Sequence, residues 1–222
     1  KLADEITHAG NDGKVKVIVL KSEGEKAFCA GASFDELMSI KNFEEGKHFF
    51  SGFAMVINAI RKAPKFVIAR VHGKAVGGGV GLASAADYTL AVKDASVRLS
   101  ELALGIGPFV VGPAVERKVG TGAFTALTIN PSEWKSADWA REKGLYADIF
   151  ATVDELDKAL NELADKLSKS SSEAMALLKK VMWEGTENWD KLLIERAEMS
   201  GKLVLSDFTK KYIEKFKMNA KN

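Results

Sequence analysis

Three consecutive glycines, Gly77 to Gly79, and a lone carboxylate beyond the next strand signals, Glu101, are the residues whose types and spacing could do chemistry. Consecutive glycines let a backbone come close to a ligand, because no Cβ intervenes and positive φ costs little. They lead into a small-residue helix signal that ends near Asp87, and the first N–H groups of such a helix are unpaired and sit at the positive end of its dipole. Negative charge is stabilised there, and an acid beside it could move a proton. Two other readings fit the same glycines. One is a tight turn that packs a helix on a sheet. The other is a dinucleotide fingerprint, since Gly79 and Gly81 give G-x-G with Glu101 near the distance of a ribose-binding acid; Ser84 in the third position counts against it. No phosphate-binding loop of the G-x-x-x-x-G-K-[ST] type occurs.

The elements that must position these groups alternate between strand and helix signals. Val15 to Leu20 is a β-branched run expected to be a strand covered on both faces. Phe66 to Val71 and Tyr88 to Val92 are further strands, and the polar stretch after Leu20 leads to Gly31 and a helix start near Ser33. From Asn42 to Lys62, Phe49, Phe50, Phe53, Val56, Ile57 and Ile60 recur at helical spacing, and Pro64 ends the pattern. The alternation predicts an α/β arrangement with parallel pairing. The opening KLADEITHAG reads as the end of a helix stopped by Gly10, as if the chain began partway into a domain. After Gly120 strands largely vanish, apart from a short run at Asp148 to Ala151. Ser132 is expected to cap a helix through Lys143, with Gly144 ending it. Helices are also expected over Val153 to Ser168, Glu173 to Glu184 and Asp190 to Leu205. The division implied is a core domain over 1–130 and a helical region over 131–222.

With 222 residues, 46% of them apolar and 28% charged, the chain has an ordinary globular composition. Its 32 basic and 30 acidic residues are interspersed, so the net charge of +2 gives no field that argues for nucleic acid or a membrane surface. A single cysteine, Cys29, excludes an internal disulfide, and His8, His48 and His72 have no metal-ligand spacing. No apolar run reaches transmembrane length and no signal-peptide pattern is present, so a cytoplasmic protein is the expectation.

Three segments resemble the crotonase superfamily, also called the enoyl-CoA hydratase/isomerase family: AFCAGASFDEL at 27–37, GKAVGGGVGLASAADYTLA at 73–91 and SELALGIGP at 100–108. A weaker fourth is SADWAREKGL at 136–145. The resemblance implies a crotonase-like spiral of ββα repeats with a C-terminal helical trimerisation region, in a homotrimer or hexamer. It implies an acyl-CoA thioester substrate and no separate cofactor, coenzyme A being part of the substrate. Carried over, the two amides that bind the thioester oxygen are those of Ala32 and Gly78, flanked by Ala30, Gly31, Gly77 and Gly79. Preorganised N–H donors stabilise the enolate oxygen, and one donor is worth about 3 kcal/mol in the transition state.

The departures are informative. Hydratases of the family carry two glutamates; the later one matches Glu101, and the earlier falls on Gly81, which has no side chain. Hydration wants one group to activate water and another to deliver a proton, whereas shifting a double bond needs only one base that takes a proton and returns it. Isomerisation of a Δ3 to a Δ2 enoyl thioester is therefore favoured, with 2-enoyl-CoA hydration, decarboxylation or thioester hydrolysis as alternatives. The turn after Glu101 is one residue shorter than usual, and Phe109 in it is a candidate for the acyl channel. Lys26 is a candidate for the CoA phosphates. In relatives a C-terminal lysine and aromatic from a neighbouring subunit reach the nucleotide; Lys215 and Phe216 are the matching residues. The strands that relatives have before this sequence would also contribute to the CoA site. Asp35, Asp87 and His72 are read as structural.

Overall fold

Strand and helix follow each other in three successive strand–strand–helix turns, and each turn sends one strand to each of two sheets. The computed structural model describes residues 1–219. After helix α1 (Leu2–Asn11), the first turn is β1 (Ile18–Leu20), β2 (Ala27–Cys29), α2 (Phe34–Ser39) and α3 (Phe43–Lys62). The second is β3 (Val67–Val71), β4 (Lys74–Val76) and α4 (Gly78–Ala85). The third is β5 (Tyr88–Val92), β6 (Ser96–Arg98), a 3-10 helix (Glu101–Leu104) and α5 (Gly112–Ile129). Then come β7 (Lys135–Ser136), α6 (Ala137–Glu142), β8 (Asp148–Phe150), α7 (Val153–Ser168), α8 (Ser172–Met182), α9 (Trp189–Leu203) and α10 (Asp207–Asn219). One sheet runs β1-β3-β5-β8 and the other β2-β4-β6-β7, all parallel except the β6–β7 pair. This is the expected spiral of ββα repeats with a helical C-terminal region.

The expected helix starts over α2, α3 and α7 have their physical cause in side-chain caps: Ser33, Asn42 and Thr152 each accept from a backbone N–H three residues on. Four details differ from the sequence reading. β1 is the edge of its sheet, so Val19 is 38% exposed rather than covered on both faces. Gly10 lies inside α1, where a Cβ would fall 3.4 Å from the Pro64 ring; it is a packing site, not a stop. Among the described residues Ser132 caps no helix: α5 runs on to Ile129, and Ser136 caps the short α6 instead. Finally, each sheet takes its last strand from beyond residue 130, so the purely helical part starts at Val153.

Contacts at two places show how the helical region is fixed to the spiral. Gly46 of α3 and Gly201 of α9 meet backbone to backbone: a Cβ on Gly201 would lie 2.5 Å from the Lys47 nitrogen. Asp87, at the end of α4, accepts from the Val67 amide at 2.7 Å and the Trp183 indole at 2.8 Å, and pairs with Lys179 of α8 at 2.8 Å. Both members of that ion pair are almost fully buried, which is tolerable only because every oxygen has a partner. Asp87 is thus structural, as its sequence context implied.

Candidate active site

The cavity is built where the second and third turns meet. Gly77 adopts φ +53 and caps α4, while its N–H donates to the Arg98 carbonyl at 2.9 Å. A Cβ at Gly77 would stand 2.9 Å from Glu101 Oε1, so only glycine lets the carboxylate come this close. Gly31 has φ +88 and turns the chain after β2, bringing Ala32 to the same cavity. The Ala32 N–H has no protein acceptor among the described residues, and Gly78, first in α4, has no preceding turn to accept its own.

Glu101 begins the 3-10 helix, and its Oε2 has almost no contact with solvent and no hydrogen-bond partner. Burial pushes its pKa up to about 7, opposed only by a hydrogen bond from its own backbone. A carboxyl poised there can accept and return a proton near neutral pH. It is the only acid among the described residues that line the cavity, whose volume is about 480 Å³. The packing at Gly81 leaves no room for a second acid there: a Cβ would fall 2.4 Å from Val111 Cγ1, so Val111 already occupies the place of a side chain.

The cavity brings together Ala30, Gly31, Ala32, Gly77, Gly78, Glu101, Phe109 and Phe216 of the residues expected from the sequence. Three expected residues lie off its lining. Gly79 is packed against β2, since a Cβ would sit 2.5 Å from the Cys29 carbonyl oxygen. Lys26 is exposed at the start of β2, with its carbonyl accepting from the Lys74 amide, and Lys215 is exposed on α10. Phe216 reaches the cavity of its own chain, edge-on to Phe34 at 4.9 Å between centroids. His72 is buried elsewhere; burial first, and Arg70 second, hold its pKa below the usual range.

Several lining residues had no site signal in the sequence. Phe50 and Phe53 of α3 belong to an apolar stripe that reads as core, yet the Phe53 ring lies so close to Gly78 that it fills the place of a Cβ there. Ser200 and Tyr212 come from α9 and α10, and Lys74, Arg98 and Trp134 from the second sheet and the turn before β7. Only the pairing of β6 with β7, which no local pattern announces, brings Trp134 beside Arg98.

The family model for enoyl-CoA hydratase/isomerase matches residues 1–220. The chain belongs to that family. Among its relatives, a probable enoyl-CoA hydratase of Bacillus subtilis is 29% identical over 218 residues, covering 97% of this chain and 84% of that protein. A peroxisomal Δ(3,5)-Δ(2,4)-dienoyl-CoA isomerase of Arabidopsis thaliana is 29% identical over 193 residues, 78% of this chain and 66% of that protein. The crystal structure of an enoyl-CoA hydratase from Bacillus halodurans superposes with a TM-score of 0.88 at 22% identity, covering 96% and 87% of the two chains, and so shares the fold. Among the described residues no helix is long and apolar enough to cross a membrane.

Proposed function

We propose that this enoyl-CoA hydratase/isomerase family member moves the double bond of an enoyl-CoA from the Δ3 to the Δ2 position. The observation that carries the reading is that Glu101 is the single acid among the described residues lining the cavity. The thioester oxygen would rest on the amides of Ala32 and Gly78, and Glu101 would take a proton from C2. The electron pair left behind delocalises onto the thioester oxygen, which the amides stabilise. Glu101 then returns the proton to C4, so that its starting state is restored. A base near pKa 7 suits both halves of that transfer, and burial supplies this value. Hydration is the second reading, favoured by the hydratase names among relatives; it would require a water-activating group besides Glu101.

The test is a pair of rates in one buffer. Conversion of a 3-enoyl-CoA to its 2-enoyl isomer should exceed hydration of the 2-enoyl-CoA, and Glu101→Gln should lower the first by about a hundredfold or more. Efficient hydration that survives Glu101→Gln would overturn both the reaction and the residue. The protein is also proposed to assemble as a homotrimer or hexamer, because α8 exposes Leu177, Leu178 and Val181 on its surface, each more than half exposed. Sedimentation should give a trimer or larger at micromolar concentration; a monomer would reject the assembly.

A further inference from the structure

One face of the second sheet forms a wall of the cavity, and the charges on that face are all of one sign. Ala27 pairs with Lys74, and Val76 with Arg98, so these four residues share a face, and all four line the cavity. Its two charged side chains, Lys74 and Arg98, stand over the same indole, at 5.2 Å and 4.4 Å from the centroid of Trp134. Neither has a carboxylate partner among the described residues, and the Arg98 Nε is buried without a hydrogen bond. A desolvated guanidinium N–H left unpaired is costly, and Trp134 satisfies the cation's charge without satisfying that donor. The remaining lining is otherwise apolar or weakly polar, apart from Glu101. Burial raises the pKa of Glu101 and only its own backbone hydrogen bond opposes it, with no cationic neighbour contributing, so the two cations are free of it.

We propose that Arg98, assisted by Lys74, binds a carboxylate on the acyl group, so that the substrates are thioesters of dicarboxylic acids rather than simple fatty acids. The proposal rests on the acyl-thioester reading above and adds the class of acyl group. Location favours the acyl group over the carrier's phosphates as the source of the anion. The Arg98 carbonyl accepts from Gly77, next to the Gly78 amide, and Glu101 follows three residues later. A guanidinium anchored there is within side-chain reach of a carboxylate a few bonds from the thioester carbonyl. The phosphates are held away from the thioester by the whole pantetheine arm. A guanidinium also matches a carboxylate with two parallel N–H donors, which gives discrimination as well as affinity.

Binding of unreactive thioesters tests this without relying on turnover. Glutaryl-pantetheine and pentanoyl-pantetheine have the same five-carbon chain, differ by the terminal carboxylate, and lack the phosphates of CoA. By calorimetry, the protein should bind the glutaryl compound about tenfold more tightly or better. Arg98→Met should abolish that preference while leaving pentanoyl binding within about threefold; Lys74→Met, at an exposed position, should reduce it by about threefold. Equal binding of the two compounds by the unaltered protein overturns the proposal whatever the variants do. So does a preference that survives both substitutions. If Arg98→Met instead weakens glutaryl-CoA and pentanoyl-CoA alike and neither pantetheine thioester, the anion is a carrier phosphate and the acyl carboxylate is rejected. Failure to bind any acyl thioester would reject the acyl-thioester reading itself, whereas pentanoyl binding without a glutaryl preference rejects this inference alone.

Discussion

Residues 73–111 and the helices α9 and α10 face each other across one cavity and build their halves of it by different means. The first half, besides the side chains of Lys74, Arg98 and Phe109, presents backbone: positive φ at Gly77, the helix-start amide of Gly78, and a carboxylate that approaches a main chain with no Cβ. The second half is made of side chains, with Ser200, Tyr212 and Phe216 presented by helices that dock through the Gly46–Gly201 crossing and through Phe208 against Gly105. In the proposed reaction, the donors that must be fixed in place would be backbone amides, which cannot rotate away. Shape, which tolerates exchange of one apolar side chain for another, falls on the helices.

The largest expected effect breaks the backbone half. Gly78→Pro removes one amide donor, and proline is tolerated at the first position of a helix. Its ring would strike Phe53, so the informative protein is Gly78→Pro with Phe53→Ala, compared with Phe53→Ala alone. Turnover should fall by about two orders of magnitude between the two, with the far-ultraviolet circular dichroism unchanged. A folded double variant with undiminished turnover would remove Gly78 from the oxyanion site.

Backbone and side chains also differ in how legible they are in the sequence. Glycines are positional evidence, because a Cβ is excluded for a physical reason; the glycine run and Glu101 stand out by residue type and spacing, the places of Gly31 and Gly78 come from the resemblance to the family, and all of these but Gly79 line one cavity. Gly79 shows the limit: it looks like its neighbours, but its close approach is to Cys29 and not to a ligand. Phe50, Phe53, Tyr212 and Trp134 carry no such mark. An apolar residue at helical spacing announces burial, and whether it is buried in the core or at a cavity is decided by where another element docks. Arg98 is hidden for the same reason, since its indole partner comes from a distant turn.

A second expected effect concerns the desolvated carboxyl group of Glu101. Below about pH 4.5 Glu101 is protonated in the folded and the unfolded chain alike, so its burial then carries no ionisation penalty. From there to about 7 the unfolded chain ionises while the fold still holds the proton, so this residue's contribution to stability falls as pH rises and levels off above the folded pKa. The full penalty is on the order of 3 kcal/mol. Glu101→Gln removes it, so this variant should be more stable than the unaltered protein by urea titration at pH 8 and nearly equal at pH 4.5. A stability difference that is the same at both pH values would show that the carboxylate is solvated and not desolvated as described.

The smallest expected effect falls on the helical half of the cavity. Phe216 packs edge-on against Phe34, yet half of its surface remains exposed, so it is a wall of the cavity and only partly a contributor to the core. An edge-to-face pair is worth about 1 kcal/mol. Phe216→Ala should therefore weaken substrate binding rather than the chemical step: KM for an acyl-CoA should rise about fivefold with kcat within about twofold, the pattern of a lost contact that ground state and transition state share. If kcat falls as steeply as with Glu101→Gln, the helical half takes part in aligning the reacting atoms, and the division between a backbone half that does chemistry and a side-chain half that gives shape fails. If neither constant moves, α10 does not wall the working site, and Phe34 alone closes that side of the cavity.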